Sequence, residues 1–160
     1  MTEMDTETTA KQSLRFYVND SEVVLSFPDP DLTLLAFLRS SGISTGTKLG
    51  CGEGGCGACT VTLASYNHAP QQGAYLAVNA CLAPLCSVAE CQIITTEGIG
   101  SAKRGMHPVQ ERIASFHGSQ CGFCTPGIVM SLYTLLRNNS SPTMEQIEKN
   151  WDGNLCRCTG

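Results

Sequence analysis

Leu14, Phe16 and Val18 alternate with polar neighbours. The pattern breaks at Asn19-Asp20-Ser21 and apolar character resumes at Val23, Val24, Leu25 and Phe27. A period of two on both sides of a turn-forming triplet predicts a β-hairpin. Past Pro28-Asp29-Pro30-Asp31 the period changes: Leu32, Leu34, Leu35, Phe37 and Leu38 share one helical face, and Gly42 is placed to cap the helix C-terminus. Gly46 to Gly57 is a glycine-dominated loop. Thr60 to Leu63 and Tyr75 to Val78 read as strands around a hydrophilic hairpin insertion, and Gln92 to Thr96 as a last β-branched strand.

Gly98-Ile99-Gly100-Ser101 then punctuates the chain and the periodicity turns helical. Pro108 can start a helix running toward Phe116. Thr125 followed by Pro126 reads as an N-cap with proline at the first helical position, heading Ile128 to Arg137. Thr143 with Gln146 is a capping-box pattern for a third helix ending near Trp151. Trp151 is expected to join Leu132, Leu135 and Leu136 in the core of this helical part. The pattern thus divides the chain into a polar leader expected to be disordered (1–12), an α+β unit (13–97) and a small all-helical unit (101–160).

Composition narrows the classes. The hydrophobic fraction is 42% and the charged fraction 15%, against roughly 25% charged residues in an average soluble domain, so the chain can bury a core. Net charge is -4, from 10 basic and 14 acidic residues with no basic run. That excludes the electrostatic footprint of a nucleic-acid or anionic-membrane binder. No apolar run reaches the roughly 18 residues of a membrane span. Met1 to Ser13 has neither the basic nor the apolar region of a secretory signal, so the expected compartment is the reducing cytoplasm. Cysteine is the outlier at 10 of 160 residues, below the roughly 8–10% of a secreted disulfide scaffold. In a reducing compartment such clustering points to metal or redox chemistry.

The first cluster of cysteines is Cys51-x4-Cys56-x2-Cys59, with Cys81 22 positions further on. Three thiolates from one loop and a fourth from a distant segment is the plant-type 2Fe-2S spacing. Gly50, Gly52, Gly54, Gly55 and Gly57 let the loop wrap tightly and bring backbone N–H groups onto the sulfurs, and Ala58 is small for the same reason. A structural zinc site more often uses two short Cys-x2-4-Cys knuckles, which this spacing fits poorly. The second cluster is Cys121-x2-Cys124 with Cys156-x-Cys158, each pair beside a predicted helix end and expected to serve one iron. Read alone, this set suits zinc as well as iron. Next to a cluster-binding unit iron is favoured, because two adjoining redox centres form a relay.

Other residues invite functional readings and have plainer ones. Cys86, in the apolar run Leu82 to Val88, is expected to be a buried structural thiol, and Cys91 the same or partly exposed. His107 precedes Pro108 and reads as a helix-entry residue, His68 as a surface residue of the insertion, and His117 as a solvated helix-end histidine.

Four stretches carry a resemblance to a known family: Thr47-Lys48-Leu49-Gly50-Cys51-Gly52-Glu53-Gly54-Gly55-Cys56-Gly57-Ala58-Cys59, His107-Pro108-Val109-Gln110-Glu111-Arg112, Gln120-Cys121-Gly122-Phe123-Cys124-Thr125-Pro126-Gly127 and Gly153-Asn154-Leu155-Cys156-Arg157-Cys158-Thr159-Gly160. They resemble the iron–sulfur region of the xanthine dehydrogenase/oxidase family of molybdenum hydroxylases, over about residues 13 to 160. Aldehyde oxidases and the small subunits of bacterial molybdenum hydroxylases share the same motifs. The resemblance implies a ferredoxin-like β-grasp domain followed by a four-helix bundle, each holding one 2Fe-2S cluster. Cys51, Cys56, Cys59 and Cys81 would hold the cluster facing FAD, and Cys121, Cys124, Cys156 and Cys158 the one facing molybdopterin. Gln120 resembles a residue that hydrogen-bonds the pterin, with Cys158 nearby.

The resemblance also implies a whole enzyme, expected to be a cytoplasmic or peroxisomal homodimer. That enzyme hydroxylates hypoxanthine or xanthine at molybdenum during purine catabolism and passes electrons through both clusters to FAD, then to NAD or dioxygen. In the family the chain continues past the motif that ends here at Gly160 into FAD and molybdopterin domains. The expectation is therefore an incomplete helical unit in a fragment with no catalytic acid, base or nucleophile of its own.

Overall fold

The computed structural model describes residues 13–65 and 75–159; the predicted leader and the hydrophilic insertion with His68 lie outside them. β1 (Ser13–Val18) and β2 (Ser21–Ser26) form the expected antiparallel hairpin, turning at Asn19 with φ 54°. With β3 (Thr60–Ser65), β4 (Tyr75–Asn79) and β5 (Cys91–Ile94) they build one sheet in the order β2-β1-β5-β3-β4. β1 and β5 run parallel and the other pairs antiparallel. β5 ends before Thr95, so the last strand is shorter than its β-branched run suggests. Thr95 is spent on hydrogen bonds to Asn19, and Thr96 opens a helix.

α1 (Leu34–Ser40) crosses one face of this sheet. Thr33 caps it by accepting from the Ala36 N–H, and Leu34, Leu35, Phe37 and Leu38 are buried against Leu14, Phe16, Val18, Val61 and Ile93. The Phe16 and Phe37 rings meet edge to face at 5.4 Å. The first N–H groups of a helix have no partner within it. Here Leu34 donates to the Ala83 carbonyl (2.8 Å) and Leu35 to that of Ala80 (2.9 Å), which pins the loop carrying Cys81 beneath the helix. A mixed sheet with one helix across it is the β-grasp arrangement.

Four helices follow: α2 (Thr96–Ile99), α3 (Pro108–Ser115), α4 (Thr125–Asn138) and α5 (Met144–Asn150). The capping boxes of α3 (His107 with Gln110) and α5 (Thr143 with Gln146) are formed. α4 buries Gly127, Val129, Met130, Ser131 and Thr134, and lies on β3 and β4 across the sheet from α1. β3 is therefore covered on both faces.

Several details depart from expectation. Thr125 is already helical and Cys124 takes the cap position, because the Cys124 carbonyl accepts from the Ile128 N–H (3.1 Å) while the Thr125 hydroxyl turns to Ser119. Trp151 and Leu136 are 42% and 37% exposed rather than core. Cys86 is exposed, not buried: a 3-10 turn over Leu85–Val88 buries Leu85 and Val88 and turns Cys86 and Ser87 outward.

Candidate metal centre

The first cysteine loop is closed at its base by Lys48 N–H to the Ala58 carbonyl (3.2 Å) and Thr60 N–H to that of Gly57 (3.1 Å). Gly52, Gly54 and Gly57 have φ of 73°, 74° and 69°, backbone that side chains rarely adopt. Gly50 is needed for space, because a Cβ there would sit 2.8 Å from the Cys56 sulfur. Cys51 Sγ accepts from the Glu53 N–H (3.3 Å), the leading cause that lowers this exposed thiol to about 7; further backbone N–H groups and the Cys56 thiol add to it. Cys59, buried just before β3, is pushed up to about 11, first by burial; its thiol faces Asn79 Oδ1 (4.0 Å), with Cys81 beside it. Cys51 thus neighbours Cys56, and Cys59 neighbours both Cys81 and Cys56.

The second set lies between the α3–α4 loop and the segment after α5. Cys121 is lowered, first by the Phe123 N–H, and has Cys158 as its sulfur partner. Cys124 is pushed up to about 11, first by burial, and partners Cys156. Cys156 is lowered to about 7, first by the Thr159 hydroxyl (2.8 Å) and then by the Thr159 N–H (3.4 Å). The segments lie side by side, so that Cys121 neighbours Cys158 and Cys124 neighbours Cys156.

Four sulfurs per site is what a binuclear cluster uses, two thiolates on each iron. The residues present fit 2Fe-2S.

The two sites are stitched together. The Leu155 N–H, next to Cys156, donates to the Cys56 carbonyl (2.9 Å). Asn154 Nδ2 donates to the Gly57 carbonyl (3.1 Å) and reaches Thr60 Oγ1 (3.4 Å). This close approach needs glycine. A Cβ on Gly57 would collide with the Gly153 carbonyl oxygen, and one on Gly127 with the Gly57 carbonyl oxygen.

Of the remaining candidates, Gln120 is exposed one residue before Cys121, His117 is exposed just past α3, and Cys91 is half-buried. Sequence reasoning missed Asn79, whose Nδ2 donates to the Gly54 carbonyl (2.9 Å), along with Asn154 and Glu97. Asn154 lies inside a quoted motif and was open to discovery. Asn79 carries no spacing signal.

Residues 16–86 match the family model for a 2Fe-2S iron-sulfur cluster binding domain and residues 95–160 that for a 2Fe-2S binding domain. Xanthine dehydrogenase/oxidase of Felis catus is 60% identical over 92% of this chain, which spans 11% of that relative. The chain belongs to the iron–sulfur region of the xanthine dehydrogenase/oxidase family. Aldehyde oxidase 4 of Cavia porcellus is 54% identical over 92% of the chain, again 11% of the relative. Among solved structures, quinoline 2-oxidoreductase from Pseudomonas putida 86 superposes with a TM-score of 0.76 at 32% identity, covering 94% of this chain and 86% of that one. Membership fixes two 2Fe-2S-binding domains in tandem. No helix among the described residues is long and apolar enough to cross a membrane.

Proposed function

We propose that the chain is the electron-conducting segment of a xanthine dehydrogenase/oxidase. Cys51, Cys56, Cys59 and Cys81 hold one cluster and Cys121, Cys124, Cys156 and Cys158 the other. A bound 2Fe-2S cluster accepts and passes on one electron. The observation that carries the reading is the Leu155 N–H to Cys56 carbonyl bond, which joins the flank of one ligand set to a ligand of the other. The chain's own work is to hold thiolates, aim N–H groups at sulfur and keep the two centres adjoining.

Leu49 and Leu82 lie against the glycine loop and are each 58% exposed, an apolar collar beside Cys51 suited to an FAD domain. Gln120, exposed beside Cys121, is suited to the pterin of a molybdopterin domain. By the same kinship the whole enzyme oxidises hypoxanthine and xanthine, delivers electrons to NAD or dioxygen, and works as a cytoplasmic or peroxisomal homodimer. The 54% identity to an aldehyde oxidase supports a second reading, the same conducting segment serving aldehydes.

Anaerobic reconstitution of the chain tests the proposal. About four irons and four sulfides per chain, with two electron paramagnetic resonance (EPR) species on reduction, are expected. Cys51→Ser should delete one species and leave the other. A colourless chain that retains zinc would overturn the reading.

A further inference from the structure

The residues leading into the first cysteine loop are gripped by a carboxylate from the start of the helical part. Glu97, on α2, accepts from the Gly46 N–H at Oε1 (2.8 Å) and from the Ser44 and Thr95 hydroxyls at Oε2 (both 2.8 Å). Ser44 is fully buried and its hydroxyl also meets that of buried Thr47 (2.8 Å). Gly46 has no room for a side chain: a Cβ would lie 2.7 Å from Thr96 Cγ2 and 2.8 Å from Glu97 Oε1. From α1, the Arg39 guanidinium donates to the carbonyls of Thr45 (3.2 Å) and Thr47 (2.9 Å). The ramp from Ser44 to Lys48, directly ahead of Cys51, thus hangs between a cation on one helix and an anion on another.

Burying a carboxylate is costly unless donors meet it. Neither ion pair found among the described residues involves Glu97, and Arg104 reaches only its backbone carbonyl (3.1 Å). Neutral, directional donors hold it instead. A carboxylate is acceptor-only, so it can take all three donors at once; a glutamine would turn an NH2 toward one of them. α2 is itself tied to both halves. The Thr95 N–H donates to Asn19 Oδ1 (2.9 Å), and Gln110 Nε2 of α3 donates to the Thr96 carbonyl (3.0 Å).

We infer that Glu97 is a positioning residue for the first cluster: its carboxylate fixes the ramp that delivers Cys51, and makes retention of that cluster depend on the seating of α2. The inference rests on the ligand assignment proposed above. It is tested on the full reconstituted chain, with Cys51→Ser identifying which EPR species is the first cluster. In Glu97→Gln the first cluster should lose iron to a chelator about tenfold faster, as for the loss of a charge-assisted hydrogen bond. The second cluster should keep its wild-type rate and signal. Amide exchange at Gly46 in the iron-free chain should accelerate, and Glu97→Asp, still an acceptor-only group, should recover part of both effects. Wild-type rates in Glu97→Gln, or both clusters lost equally faster, would overturn the inference. A wild-type chain that takes up no iron would overturn it together with the ligand assignment, and so marks the two failures apart.

Discussion

Each set of four thiols contains unequal members. Cys51 and Cys156 sit near 7 because N–H groups, and for Cys156 the Thr159 hydroxyl, stabilise their thiolates; Cys59 and Cys124 sit near 11, mainly through burial. The thiolate is the nucleophile. In the iron-free chain, iodoacetamide should therefore label Cys51 and Cys156 first, at rates that rise with pH and level off above about 7. Cys59 and Cys124 should stay slow until far more alkaline pH. Peptide mapping after brief labelling checks this, and Cys59 modified as fast as Cys51 at pH 7 would contradict it. The candidate ligands were legible because cysteine spacing survives in one dimension. That Cys121 comes to lie beside Cys158 was not, because the two meet only once α5 has turned the chain back. Glu97 was invisible for a related reason, as its partners Ser44 and Gly46 lie more than 50 positions away.

At the scale of elements, the hairpin and α1 followed from periodicity because their apolar residues face a single core. α4 is harder to read, since its buried residues include Gly127, Ser131 and Thr134, which no apolar pattern marks. Its register is fixed by a buried hydroxyl pair, Thr62 Oγ1 and Thr134 Oγ1 at 2.5 Å. Thr134 already donates to the Met130 carbonyl (2.8 Å), so Thr62 must be the donor between them. The two substitutions should then differ. Thr62→Val removes a donor and leaves Thr134 satisfied, costing about 1 kcal/mol, whereas Thr134→Val strands a buried donor on Thr62 and should cost up to about 3 kcal/mol. Denaturant unfolding of the two variants measures the difference, and equal losses would refute the assigned direction.

Across the whole molecule, the pattern of strands then helices was legible as two units, while their interlocking was not. Backbone meeting backbone leaves no side-chain signature except glycine, and glycines in a cysteine loop already had a reason to be there. Gly127 separates the two explanations. It lies in the first turn of α4, where helix propensity alone predicts that alanine would stabilise by about 1 kcal/mol. The same Cβ would run into the Gly57 carbonyl oxygen, which also accepts from Asn154, so the helix could not sit on the first cysteine loop without displacing it. Overpacking of this kind typically costs about 1–3 kcal/mol, enough to reverse the propensity gain. Gly127→Ala should therefore lower the stability of the iron-free chain. In the reconstituted chain it should weaken the magnetic interaction between the two reduced clusters, as the Leu155 to Cys56 bond is pulled apart. A variant as stable as wild type, with that interaction intact, would mean the two cysteine loops do not meet at Gly57.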